Sequence, residues 1–563
     1  MSVPSSVESS ILSDKAIDKG IQLPENIDHH TRAITTLPRE MNRVLPPEIL
    51  EQIFLVLRAG CRSYRWMRVT HVCHYWREVA LQSARLWSYI NLPCHNVAHA
   101  EELLRRSKET ALSVVGDITH TVPGQPAHIT VSSGRSSPYT IFEVIFRAFA
   151  RMVTIELSGP PSDFDFSLVV TKLKEGSSKL RFVTLEHSNS EFGSMSLDPF
   201  PNCVRFPQLE VLKLTGFDVS LVLPLFPNTP NLRVLQIPRF EDCGSMVSLL
   251  DMLRHLPHLQ SLSLVYEKKH NDDHASGLPT TSSEVSLPQL KILDIELASA
   301  CAIYLFTRLL FPSHCQVKVS MDSSLFAPSP DRLLDVASSI VACVMGPRII
   351  GDPIPLVSAY ISPDSLRQVR LLAWTEGIEL DDIEAFGRTK TISKIRCSPK
   401  LDVTAISSQS VEILIALFRA MMLSDIEELF ITWLDFIESR VWLCIMEGLP
   451  NLKRLVIVYT RTGILPDILG SITESGILLP ALQSVHLHRG TFWNPEANIE
   501  PTLTREALGE SLLKRKQHGA MLKRLRVTMA AYLAEPKEWN ELVEELEYTT
   551  RDVQLRYLGR RRS

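Results

Sequence analysis

Chemistry has few places to happen in this chain. The tightest group of metal-type side chains is His71, Cys73 and His74. Zinc takes four ligands in a tetrahedron and needs a second pair at matching spacing. None follows, so Cys73 reads as a small buried apolar residue. The loop His270-Asn271-Asp272-Asp273-His274 holds further ligand-type side chains in a polar insertion between patterned segments. Asp381-Asp382 and Glu427-Glu428 are paired acids. General acid–base work needs two carboxyls in unlike surroundings, whereas these fall in a polar loop and beside a strand and read as solvated. The phosphate-cradling G-x-x-x-x-G-K-[ST] and G-x-G-x-x-G, the elbow G-x-S-x-G and the zinc motif H-E-x-x-H are all missing. Glycine, at 23 of 563 residues, is scarce for loops that wrap phosphates. The expectation is a protein that is not an enzyme, with no catalytic residue, no cofactor and no metal.

What remains is recognition by surface. Lys and Arg number 59 against 63 Asp and Glu, a net charge of −4, with 45% hydrophobic and 22% charged residues. Those are values of a folded globular chain. The near balance of charge argues for no nucleic acid and no anionic membrane among its partners. No apolar run reaches the ~18–20 residues that span a bilayer. Ten cysteines without a C-x-x-C pair, and a polar Met1–Gly20, point to reduced thiols in the cytoplasm or nucleus. The basic runs Lys514-Arg515-Lys516 and Arg560-Arg561-Arg562 either aid nuclear import or simply face water.

Behind a leader, residues 1–40, that lacks apolar periodicity, the first elements lie at 41–92. Pro46-Pro47 opens a helix in which Ile49, Leu50, Ile53, Phe54 and Leu57 share a face. Val69, Val72, Cys73, Trp76, Val79 and Ala80 mark a second helix, and Leu86-Trp87 closes the module. So few residues bury little surface by themselves, and the apolar surplus needs a partner. Leu45-Pro46-x-Glu48-Ile49-Leu50-x-x-Ile53-Phe54, then Val72-Cys73-x-x-Trp76-Arg77-x-x-Ala80, then Leu86-Trp87, resemble an F-box of the kind found in mushroom-type fungi. The resemblance implies docking onto a Skp-type adaptor, and through it a cullin. It assigns Leu45, Pro46, Ile49, Leu50, Ile53, Val72, Cys73 and Trp76 to forming or supporting the docking surface. Ala84 stands where many relatives have proline, and Arg62, Arg65 and Arg68 make the linker more basic than usual. With Arg58 they fall near helical spacing, fit either to steer an acidic partner or to be solvated.

From residue 150 onward a hexamer recurs: an aliphatic, two other residues, an aliphatic, one other, an aliphatic. It starts at Met152, Leu180, Leu209, Leu232, Leu259, Leu290, Leu366, Ile392, Ile426, Leu452, Leu482 and Leu522, mostly 23 to 34 residues apart. Six starts follow an x-Pro-x step, at Pro207, Pro230, Pro257, Pro288, Pro450 and Pro480. The period and pattern are those of leucine-rich repeats, a strand and a returning helix per unit. The predicted fold class is α/β: a small helical F-box module, then an irregular leucine-rich-repeat solenoid at 93–535, parallel strands on its concave face and helices on its convex face. Residues 536–563 read as a helical, basic tail, and 300–365, rich in proline, as long loops. Strand alternation turns the residues between the aliphatics outward, toward an unknown target protein. Asp294, Glu296, Phe430, Arg454, His486, His488, Arg524 and Arg526 are the candidate contacts, on a face that grades from acidic to basic.

The function expected is that of a substrate receptor in a Skp–cullin–F-box ubiquitin ligase, holding a target on the repeats. The alternative is a leucine-rich-repeat scaffold or inhibitor with no ligase role, its helical module a cap over the first repeat.

Overall fold

The computed structural model describes residues between Leu45 and Thr550, apart from internal stretches of which 118–137, 188–200, 267–283, 323–337, 379–397 and 491–504 are the longest. The leader 1–40, the 270–274 loop, Asp381-Asp382, Ile392 and the terminal arginines lie outside the described residues. Two compact units divide the chain, Met1–Trp87 and Ser88–Ser563.

The first unit is helical. Helix α1 (Pro47–Ala59) has proline in its first turn, where a missing amide breaks no helical bond, and Glu48 beside the positive end of the helix dipole. A 3-10 segment (Tyr64–His71) leads to α2 (His74–Gln82), capped by Cys73, whose Sγ accepts from the Trp76 amide at 3.5 Å. Helix α3 (Ala84–Trp87) ends the unit. Leu50 and Phe54, one turn apart on α1, are buried with Trp66, Val69, Val79, Ala80, Leu86 and Trp87. Phe54 packs 5.2 Å from the Trp76 ring, and Trp66 packs edge-on 5.2 Å from Trp87. Arg58 donates to the carbonyls of Arg85 and Leu86, and Ser83 Oγ donates to Glu51 at 2.6 Å, which ties both ends of the unit together.

The second unit is built on one 17-stranded sheet. Its strands are β1 (Tyr89–Leu92), β2 (Leu112–Asp117), β3 (Met152–Gly159), β4 (Phe182–His187), β5 (Val211–Thr215), β6 (Val234–Phe240), β7 (Ser261–Tyr266), β8 (Ile292–Glu296), β9 (Gln316–Asp322), β10 (Ser358–Ser365), β11 (Gln368–Trp374), β12 (Leu401–Ile406), β13 (Glu428–Thr432), β14 (Arg454–Val458), β15 (Ser484–His488), β16 (Leu522–Ala530) and β17 (Val543–Thr550). Neighbours in the sheet follow chain order and run parallel, from β1 to β9 and from β13 to β17. Between them the order inverts: β9 pairs with β12, β12 with β11, β11 with β10, and β10 with β13. Among the described strands of this sheet only β11 runs antiparallel to its neighbours. Helices occupy several crossovers: α4 (Val97–Ser107) packs on α5 (Pro138–Phe146), which packs on α6 (Phe166–Leu173). Farther on, α8 (Ser439–Glu447), α9 (Ile464–Gly470) and α10 (Arg505–Gln517) stack in order, with α7 (Cys243–Leu253) between the two groups in sequence. No helix among the described residues is long and apolar enough to cross a membrane.

The six prolines do identical work. In each corner the lead aliphatic donates its amide to the carbonyl three residues before: Leu209 to Phe206, Leu232 to Thr229, Leu259 to Leu256, Leu290 to Leu287, Leu452 to Leu449 and Leu482 to Leu479, at 3.1–3.2 Å. Proline thus holds the second position of a β-turn, where its fixed φ is already the value required. Corners also touch across units, since Asn231 Nδ2 donates to the Pro207 carbonyl at 2.7 Å. Past the turn, one carbonyl receives two amides of the next strand, as Arg233 does from Gln260 and Ser261 and Lys453 does from Gln483 and Ser484. The aliphatics of the hexamer then bury on one face: Leu212 and Leu214 line a small apolar cavity with Val170 and Leu173 of α6 and Val183 and Leu185 of β4.

Four sequence expectations are corrected. Residues 89–92 belong to the sheet, because Ile90 and Leu92 alternate inward. The proline-rich 300–365 stretch contains β9, β10 and two short strands, Leu309–Pro312 and Ile349–Ile350. Leu366 lies outside the described residues, and the strand after it, Gln368–Trp374, is reversed rather than parallel. Residues 536–563 were expected to be helical, yet Val543–Thr550 pairs parallel with β16.

Both faces of the sheet are covered around the inversion. Tyr360, Leu372, Trp374, Ile378, Phe430, Val456 and Val458 form a core on the face where outward residues were expected, with Tyr459 packed against it. Phe430 is 0% exposed. Phe430→Ala is therefore expected to cost about 3–5 kcal/mol in chemical denaturation, the usual loss for a buried ring.

Candidate functional site

On an α-helix successive side chains are turned by about 100°. Ile49, Ile53, Val56 and Leu57 consequently share an arc of α1 next to the arc of Leu50 and Phe54. The inner arc is buried and the outer one is left in solvent: Ile49 is 47%, Val56 72% and Leu57 45% exposed. Leu45 and Ile53 are exposed as well, and so is Val72, at 55%, on the residue before the α2 cap. With Leu81 they make seven of the twelve exposed large apolar side chains among the described residues, inside a unit of fewer than 90. Tyr75 of α2 donates its hydroxyl to the Leu45 carbonyl at 2.8 Å and so fixes where Leu45 and Pro46 approach α1.

The residues assigned by the F-box resemblance thus separate into two groups. Leu45, Pro46, Ile49, Ile53 and Val72 are at the surface. Leu50 is fully buried and holds the stripe from beneath. Cys73 and Trp76 are half-buried, the first as the cap of α2 and the second stacked on Phe54. The Trp76 indole N–H is buried and meets no acceptor among the described residues. Ile49, Leu50, Ile53, Phe54 and Leu57 were expected on one face, of which only Leu50 and Phe54 are buried, and Val56 was not singled out. The signal was in the sequence: α1 carries two apolar stripes where a helix closing a small core needs one.

The sheet's outward residues make a different surface. Asp294 of β8 is bonded to Lys318 of β9 at 3.0 Å, Asp402 to Arg370 at 2.7 and 2.9 Å, and Glu428 to Arg454 at 3.4 Å. Arg524 and Arg526 each lie 2.8 Å from a carboxylate oxygen, of Glu545 and Glu547 in β17. Cross-strand ion pairs of this sort neutralise a face strand by strand. The expected grading from acidic to basic is therefore replaced by matched charges, because the strand that supplies Glu545 and Glu547 was read as tail. Glu296 is exposed. Phe430, His486 and His488, expected at the surface, are all buried. Both imidazoles reach one hydroxyl: His486 Nε2 and His488 Nδ1 are each 2.8 Å from Thr528 Oγ1. Burial first, then the charges of Arg526, His488 and Arg454, push the His486 imidazole down to about 4.

Two outcomes follow for these sites. Trp76→Phe keeps the ring on Phe54 and removes the orphan donor, so its folding stability should match the parent within about 1 kcal/mol, whereas Phe54→Ala should lose about 3–5 kcal/mol. As pH falls from 6.5, the ordinary histidine value, toward about 4, the unfolded chain takes up a proton that folded His486 refuses. Stability, complete above that window, is expected to fall within it by up to roughly 3 kcal/mol, and His486→Gln to flatten the slope in urea titrations at stepped pH.

Residues 43–93 match the F-box-like family. No curated protein matches the chain. Among solved structures, the crystal structure of the Rad7 and Elc1 complex in yeast is similar at 13% sequence identity and a TM-score of 0.28, over 85% of this chain and 96% of that one. So slight a likeness carries no argument. The stripe of Ile49, Ile53, Val56 and Leu57 thus belongs to an F-box-like domain.

Proposed function

We propose that this chain is the substrate-receptor subunit of a Skp–cullin–F-box ubiquitin ligase. One observation carries the reading: an F-box-like domain that buries Leu50 and Phe54 and leaves an apolar stripe beside them in water. A module serving only as a cap has no use for such a stripe. Burying each side chain of that size against a partner is worth about 1.5–3 kcal/mol, so a handful suffice for a specific contact. The 88–563 unit is then an irregular leucine-rich-repeat solenoid, a reading supported by the recurring hexamer and the repeated proline turn.

On this reading the chain makes and breaks no bonds. The target is held on the outward face of the sheet, and the ligase places it beside a ubiquitin-charged enzyme. Tethering turns a bimolecular transfer into one governed by local concentration. Since Phe430, His486 and His488 are core, target contact shifts to the open strands β4 to β8. There Phe182, Val211 and Val234 lie side by side in register, next to Thr184, Lys213 and Gln236. None of these is fully buried.

The docking half is tested at residues that the fold does not need. Ile49→Asp combined with Ile53→Asp places two charges on the exposed arc and should leave thermal unfolding as it is in the parent. Pull-down of a Skp-type adaptor by the full-length variant is expected to fall to background. Retention of the adaptor would remove the ligase reading. Leu50→Asp is not a clean test, because Leu50 is 0% exposed and its loss unfolds the module.

A further inference from the structure

We propose that the partner docking on the helical module presents an acidic edge to Arg65, Arg68 and Arg77. The inference rests on the reading that the module docks an adaptor, and it adds the charge of the surface that fits. In a 3-10 segment side chains three residues apart eclipse one another. Trp66 and Val69 take the buried side of the Tyr64–His71 turn, which forces Arg65 and Arg68 together onto its solvent side. Arg77 of α2 joins them, since its Nε donates to the Thr70 carbonyl at 2.8 Å and holds its guanidinium against the same turn.

Among the described residues no carboxylate answers these three. Glu51 accepts from Ser83, Glu78 faces His74 and Gln82, and Glu48 stands in the first turn of α1. Among the described residues neither the Arg65 nor the Arg68 side chain makes a hydrogen bond or an ion pair, whereas on the sheet Lys318, Arg370, Arg454, Arg524 and Arg526 each meet a carboxylate on the neighbouring strand. The turn also runs directly into exposed Val72, one of the apolar residues assigned to docking, so the cations adjoin that residue in the chain. Apolar burial supplies affinity there, and the uncompensated cations steer approach, which acts mainly on the association rate and fades with salt.

The test is association kinetics of the full chain with a purified Skp-type adaptor at about 20 mM and about 500 mM salt, conditions that span long and short screening lengths. The double charge reversal Arg65→Glu plus Arg68→Glu should slow association about 10-fold at low salt and converge on the parent at high salt, with the dissociation rate unchanged. Arg147→Glu, an exposed arginine in the other unit, should change neither rate. If the double variant associates as fast as the parent at low salt while Ile49→Asp plus Ile53→Asp abolishes binding, docking stands and the acidic edge is wrong. If the parent does not bind the adaptor at all, both fall together.

Discussion

A parallel strand buries every second side chain, so a large sheet of parallel strands exists only if each crossover delivers its strand in the same phase. At six of the corners one hydrogen bond enforces that, from the amide of the lead aliphatic to the carbonyl three residues before it. Proline between them removes the freedom to turn otherwise, and the following strand enters with its leucines on the side where the helices stack. A one-residue slip would put Leu212 and Leu214 in water and Lys213 in the core. Each corner therefore sets the phase for its own unit, and the contact from Asn231 to the Pro207 carbonyl shows consecutive corners in direct register.

Between β9 and β13 the sheet changes character. There the chain order inverts around the reversed strand β11. Trp374, at the end of β11, brings its ring onto the face opposite the helices, joined by Tyr360, Phe430 and Val456. The polar groups caught beside this second core are bonded rather than abandoned: Tyr360 and Ser362 both meet the Thr432 hydroxyl, and Glu428 accepts from Ser358 and from the Ile378 amide. Farther along, His486 and His488 share Thr528. Polar side chains on a covered face survive because each has a partner on the next strand.

The sequence made the periodic parts legible and the aperiodic ones not. Eleven of the hexamer starts fall at or just before an observed strand, because an aliphatic pattern of that spacing has one way to bury itself. Strands without the lead aliphatic went unseen: β9 follows exposed His314 and shows plain alternation through Cys315, Val317 and Val319, and β17 hides in an acidic segment. Which outward residues reach solvent could not be read locally, since Phe430 and His486 are covered by elements far away in sequence. The same limit explains the charges, as Arg524 and Arg526 look basic until β17 is placed beside them. In the helical unit the single expected face of α1 divides into buried Leu50 and Phe54 and exposed Ile49, Ile53 and Leu57, and the second helix expected from Val69 is a 3-10 segment followed by a helix that Cys73 caps.

That division is instructive about why the module leaves apolar surface uncovered. Six of the seven apolar residues of α1 from Ile49 to Leu57, all but Leu55, occupy about half its circumference at 100° per residue. The second and third helices of so short a unit cover one flank, the flank of Leu50 and Phe54, and Arg58 and Ser83 anchor them there. Nothing further among the described residues of the unit covers the other flank. Exposure at Ile49, Ile53 and Val56 is accordingly a consequence of how few residues the module has and of where its anchors sit. A bare stripe of this kind invites self-association unless charge stands near it. Arg65, Arg68 and Arg77 supply charge within the same unit, and on the reading proposed above that charge selects which surface can cover the stripe.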